Sequence, residues 1–162
     1  MQDILTGLPK QAKDKHKENK KFFNSLKKKT PKHLDVLMQE LHDDEFKKTD
    51  CLTCANCCKT TGPLFTDKDV ARISKHFRIK EQRFVETYLR VDEDNDYVLK
   101  SVPCTFLGVD NECSIYDIRP KACREFPHTD RNKFQKISNL TLQNVAICPA
   151  AYNIVEAMKK RI

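Results

Sequence analysis

The sequence predicts a mainly α chain with a small β-hairpin and an irregular, cysteine-rich core organised by metal. Apolar residues recur at helical spacing towards both ends, the pattern of helices that bury one face. Eight cysteines fall between Cys51 and Cys148, four of them inside DCLTCANCCK. With 39% hydrophobic residues and no Trp among 162, the apolar core is small, and small cores are commonly reinforced by a cross-link or a metal.

Composition divides the chain into a basic N-terminal helical extension, 1–48, and a cysteine-cluster metal-binding domain, 49–162. Residues 1–9 read as a loose tail. Lys10 to Lys29 follows as a polar helix whose apolar content is mostly Phe22, Phe23 and Leu26. Thr30-Pro31 reads as an N-cap with proline at the first helical position, opening a helix over 31–46 on the stripe Leu34, Leu37, Met38 and Leu41. That stripe packs on the body of the chain, or else receives a protein partner.

The cysteine cluster reads as an irregular loop closed by Gly62-Pro63. Thr66 and Asp69 resemble a capping box, with Asp in place of the usual Glu, that opens a helix through DVARISKHF. A second short helix, IKEQRFVETYL, buries Phe84, Val85 and Leu89. VDEDNDYVLKSVPC reads as an acidic turn and a short strand. Its acidic run lacks the central Gly and final Glu of a calcium loop, which makes it a solvated turn. CTFLGVDNEC folds as a hairpin around Gly108 to Asn111, bringing Cys104 towards Cys113. KACREFPH carries Cys123 on a turned segment, and Cys148 caps a terminal helix that begins at Pro149.

The net charge is +7, spread as 12 Lys against 8 acidic residues in 1–48 and 18 basic against 15 acidic in 49–162. Lys interleaved with Asp and Glu is the pattern of a solvated helix face and weighs against nucleic acid as a partner. The opening MQDILTGLPKQAKDKHKENKK has no apolar export signal. No run approaches the roughly 18 apolar residues of a membrane span. The expected location is therefore cytoplasmic, away from any membrane, where thiols stay reduced and clustered cysteines bind metal rather than pair.

Cys51-x2-Cys54-x2-Cys57 has the spacing with which ferredoxin loops present thiolates to an iron–sulfur cluster, and Cys148-Pro149 supplies the remote Cys-Pro such loops use. Zinc is the alternative, since Cys51 and Cys54 with Cys104 and Cys113 satisfy a four-thiolate count. Cys57 and Cys58 are adjacent, and in extended backbone their side chains face opposite sides, which suits two sites better than one tetrahedral ion. His128 and His42 lie near the cysteines in sequence but read first as hydrogen-bonding residues. No Ser-His-Asp grouping, paired-carboxylate motif or HExxH helix is present, which leaves no reaction assigned.

Cys-x2-Cys-x2-Cys-Cys at 51–58 is followed by Pro-Cys-x-Phe-Leu at 103–107 and Cys-x-Ile-Tyr at 113–116. Arg-Pro-x2-Cys-Arg-x-Phe-Pro at 119–127 and Cys148-Pro149 complete the series, which resembles the YkgJ family of cysteine-cluster proteins. The resemblance implies a zinc- or iron-chelating domain. Its ligands would be Cys51, Cys54, Cys57, Cys58, Cys104, Cys113, Cys123 and Cys148. Arg119 and Arg124 also match, and their fixed charges would support an anionic thiolate cluster from behind its ligands. The cysteine pattern is similar to one in flagellin lysine methylases, which implies an iron–sulfur cluster by analogy.

Overall fold

A computed structural model describes all residues, 1–162. Nine helices run in the order α1 (Gln2–Lys28), α2 (Leu34–Phe46), α3 (Cys51–Cys54), α4 (Asn56–Thr60), α5 (Asp67–His76), α6 (Glu81–Tyr88), α7 (Lys121–Glu125), α8 (Ser138–Asn144) and α9 (Pro149–Arg161). Three short strands, β1 (Leu64–Phe65), β2 (Leu89–Val91) and β3 (Tyr97–Leu99), form one antiparallel sheet in the order β1-β3-β2. The chain is thus mainly α with a small hairpin, as the periodicity predicts. Its contacts gather into two units, Met1–Cys54 with Pro127–Ile162, and Ala55–Phe126, a grouping that differs from the composition boundary at 48/49.

In the first unit, α1, α2, α8 and α9 bury Phe23, Leu26, Leu37, Met38, Phe134, Ile154 and Met158 in one core. The N-terminal residues are not a tail. Helix α1 begins at Gln2 and continues through Pro9, and Leu8 is 1% exposed. Pro9 removes one backbone donor, but burial of Leu8 and Ala12 on the helix's inner face outweighs that loss. The inner face also carries a polar residue, Asn19, whose side-chain oxygen accepts from Lys159 Nζ at 2.8 Å. Lys159 also pairs with Glu18 at 2.6 Å, tying α1 to α9.

Helix α2 starts three residues later than Thr30-Pro31 predicts. The Thr30 hydroxyl donates back to the Leu26 carbonyl at 2.7 Å and so cannot cap α2. Leu34 N–H bonds the Pro31 carbonyl in a turn that precedes the helix. Asp35, in the first turn of α2, accepts from the backbone N–H groups of Lys133 and Phe134 at 2.8 and 3.2 Å.

The second unit packs Phe65, Val70, Ile73, Phe84, Leu99, Phe106 and Ile115. Phe77 stacks on Phe84 and on Phe106, adding aromatic contact over the same core. The acidic segment makes the β2–β3 turn: the Asp92 carboxylate accepts from Asp94 and Asp96 N–H, and Asn95 takes the left-handed conformation such turns require. Leu89 lies in β2 opposite Leu99, not in α6, since sheet pairing wins over the helical pattern at its end. Strand β1 pairs Leu64 with Val98; two residues give too short a pattern to predict. The cysteine loop is helical rather than irregular, as α3 and α4 joined at Ala55, which adopts the left-handed conformation at φ 47°. No helix is long and apolar enough to cross a membrane.

If residues near the start are core rather than tail, Leu8→Ala should lower unfolding free energy by about 2–5 kcal/mol in a urea titration. Ile4→Ala, at a position 54% exposed, should change it by less than about 0.5 kcal/mol.

Candidate metal centre

Five cysteines belong to the second unit, and backbone hydrogen bonds hold their segments together. The Cys104 N–H donates to the Cys58 carbonyl at 2.8 Å, which fixes the 104 loop to α4. Beyond Cys104 the chain turns at Gly108 and returns, with Leu107 bridged to Cys113 and Ser114 N–H donating to the Phe106 carbonyl at 2.8 Å. Gly108 suits the close turn: a Cβ there would stand 2.8 Å from Asp110 Oδ1 and 3.3 Å from the Glu112 carbonyl oxygen, so that the Asp110 side chain would have to move. The expected hairpin is therefore present, reduced to a single bridge.

Cys123 arrives on α7, and a buried carboxylate sets where α7 starts. Asp69 is 1% exposed and closes the capping box of α5, exchanging hydrogen bonds with Thr66. The same carboxylate accepts from Arg72 at 2.9 Å and from Lys121 N–H at 3.2 Å, while Arg72 donates to the carbonyls of Ile118 and Arg119 at 3.0 Å. Sequence reading finds the capping box but not this reach to 118–121, because the partners are about fifty positions away. Burial pushes the Asp69 carboxyl up, but its hydrogen bonds with Thr66, Arg72 and Lys121 outweigh that, and its pKa lies below 3.8.

The thiols of Cys58, Cys104, Cys113 and Cys123 feel one another electrostatically. Cys123 is pushed up to about 12, first by burial and then by the charges of Cys58, Cys104 and Cys113. Burial also raises Cys104 and Cys113, each further raised by Cys58. Cys58 is the exception. The Cys57 thiol lies 4.0 Å away and brings Cys58 down to about 7, with Lys59 helping. Because α4 is helical, these adjacent side chains do not point to opposite sides as they would in extended backbone.

Backbone N–H groups are aimed at several of these sulfurs. Phe106 and Leu107 donate to Cys104, and Ile115 donates to Cys113. Donors two and three residues beyond a cysteine favour its thiolate form and fix its direction. Arg119 lowers both Cys113 and Cys123. Its guanidinium lies 3.9 Å over the Tyr116 ring and donates to the Tyr116 carbonyl at 2.7 Å. Arg124 instead donates to the Arg119 carbonyl at 3.2 Å, supporting the turn.

The first unit holds Cys51, Cys54 and Cys148. Cys148 is the N-cap of α9 with Pro149 behind it, as expected, and its sulfur accepts from Ala151 N–H at 3.5 Å. Ala150 N–H also lowers Cys148, but burial dominates, and with the charges of Cys54 and Cys51 it pushes the thiol up to about 11. The helix terminus alone therefore does not make a free thiolate there. His42 bonds the Thr129 hydroxyl at 2.8 Å and lies against the Phe46 ring at a tilt of 36°, consistent with a hydrogen-bonding role. No three His, Cys, Asp or Glu side chains are arranged around a common ion position as they stand.

Soft sulfur donors, five on short helical turns at Cys51, Cys54, Cys57, Cys58 and Cys123 and two on the Cys104–Cys113 turn, are the donor type of zinc- and iron-binding cysteine clusters. The comparison with protein families agrees. The match covers residues 50–141, more than half the chain, and places it in the CxxCxxCC family, described as "Putative zinc- or iron-chelating domain". No curated protein and no solved structure gave a match. Seven of the eight cysteines lie in the matched segment; Cys148 lies beyond it.

Removing the Asp69 carboxylate should destabilise the second unit by about 3 kcal/mol in Asp69→Ala, because the pairing with the half-buried Arg72 guanidinium, the bond to Lys121 N–H and a helix cap are lost together. The stability it supplies is fully present above pH 3.8 and is lost as pH falls through its lower folded value; acid unfolding of Asp69→Asn should therefore lack that component. In metal-free, reduced protein at neutral pH, iodoacetamide mapped by mass spectrometry should modify Cys58 ahead of Cys104, Cys113, Cys123 and Cys148.

Proposed function

We propose that the chain binds metal through two sets of thiolates, an iron–sulfur cluster or iron being the preferred occupant, in a redox or accessory role. Cys58, Cys104, Cys113 and Cys123 form one set, and Cys51, Cys54 and Cys148 belong to the other. Cys57 is a further ligand of the clustered loop. The observation that carries this reading is the convergence of backbone N–H donors on Cys104, Cys113 and Cys148. Such donors stabilise metal-bound thiolates and tune the potential of iron–sulfur centres. A YkgJ-type cysteine-cluster assignment is consistent with the same residues, and Arg119 offsets part of the negative charge from the side of Cys113 and Cys123.

Burial keeps Cys123 and Cys148 protonated at neutral pH when no cation is present, so metal entry must displace protons. A second reading has its own support: Cys58, Cys104, Cys113 and Cys123, four of the five thiols of the second unit, equal the closed, tetrahedral count of a structural zinc site.

Anaerobic purification followed by metal and acid-labile sulfide analysis separates the two. Iron with sulfide, and a brown absorbance that bleaches on reduction, is the expected result. Colourless protein with stoichiometric zinc would replace the first reading by the second, and folded protein without either metal would end both. Cys123→Ser should lower metal content and loosen the second unit, while Lys100→Gln should leave both unchanged.

A further inference from the structure

The mixing of charges that argues against nucleic acid ends at Glu18. From Asn19 to Leu34 there are six lysines and no Asp or Glu. The structure places this segment along the second half of α1 and the turn that follows it. Lys17, Lys20, Lys21 and Lys28 line one shallow groove together with Asn24 and Ser25, and all six residues are exposed. The other side of the helix differs: its Lys15 pairs with Glu18, and Lys159 of the adjoining α9 pairs with Glu18 and Glu156. None of the four groove lysines takes part in an ion pair.

We infer that this face of α1 docks on the phosphate backbone of a double-stranded nucleic acid, without reading its sequence. Four unpaired ammonium groups on about 17 Å of rigid helix complement a line of phosphates. Asn24 adds a side-chain amide donor suited to phosphate oxygens, while the Ser25 hydroxyl donates to the Phe22 carbonyl at 2.6 Å. The groove presents no aromatic side chain on which unpaired bases could stack, which favours a duplex over a single strand. An anionic membrane is the weaker match, because no apolar side chain lines the groove to enter the headgroup layer: Phe23 and Leu26 are buried in the core beneath it. Lysines near a helix C-terminus also suit the helix dipole, but the dipole acts only over the last turn and leaves Lys17, Lys20 and Lys21 unaccounted for.

The test is fluorescence anisotropy of the full chain, purified with its metal, on a labelled duplex of about 24 base pairs with arbitrary sequence. Four phosphate contacts predict a logarithmic salt slope of about −3.6, so affinity should fall on the order of 100-fold between about 50 and about 200 mM salt. Lys20→Gln/Lys21→Gln/Lys28→Gln should flatten the slope to about −1 and weaken binding at low salt, with an unchanged circular dichroism spectrum. A control of equal charge, Lys68→Gln/Lys75→Gln/Lys80→Gln, should keep the parent slope. Equal effects from both triple variants would reduce the interaction to net charge and overturn the inference. So would binding to anionic vesicles in place of the duplex, or no duplex binding at about 50 mM salt.

Discussion

Thiolates repel one another, and a protein that brings several of them into a half-buried space must either keep them protonated or supply a cation. In the second unit, Cys58, Cys104, Cys113 and Cys123 meet this condition with three thiols raised and one lowered to about 7. A divalent cation reverses that balance, since each sulfur's charge then lowers the energy of the group instead of raising it. Two features of the cluster follow from it. Backbone N–H groups are directed at Cys104 and Cys113, where they provide positive potential without a counter-charge. Arg119 adds a fixed charge at the edge, where solvent still moderates its cost.

Such a cluster needs precise placement from very little regular structure. Hydrogen bonds between backbone groups, and the half-buried Asp69–Arg72 pair with its bonds to the backbone, do that work in the second unit. The Cys58 carbonyl receives Cys104, the turn at Gly108 returns the chain to Cys113, and Asp69 holds Lys121 two residues ahead of Cys123. Asp69 is the economical choice for N3 of α5. Its short side chain closes the capping box and still offers an oxygen to Arg72 and Lys121, whereas a Glu would carry its carboxylate one methylene further out. The aromatic stack of Phe77, Phe84 and Phe106 then gives these loops a rigid floor.

What could be read from the sequence was local in character. The capping box at Thr66, the cap at Cys148 and the turn around Gly108 each depend on residues within a few positions of one another. Helices α2, α5 and α9 were visible through their apolar spacing. The start of α1 was hidden because an exposed Pro9 interrupts the helical reading and the buried face includes Asn19, which a hydrophobic pattern does not count. The three-stranded sheet was hidden because β1 has two residues, and the helical form of the cysteine loop because its turns carry almost no apolar signal. The candidate ligands were legible as residue types, but not their grouping. Spacing along the chain pairs Cys57 with Cys54 as readily as with Cys58, and only folded contacts show which sulfurs influence one another.

The helices outside the family match gain a role from this grouping. Cys148 lies beyond residue 141, at the head of α9. Its position depends on Ile154, Val155 and Met158, which pack in the core shared with α1 and α2. Lys159 adds a polar tie from the far end of α9 to Glu18 and Asn19 of α1. The direction of the Cys148 thiol is fixed by the first turn of α9, through Ala150 and Ala151 N–H. A helix that presents a thiol at one end can hold it still only if its other turns are held as well. The basic N-terminal segment therefore serves the first unit's sulfurs mechanically through its buried face, which leaves its lysine-bearing outer face free to do something else.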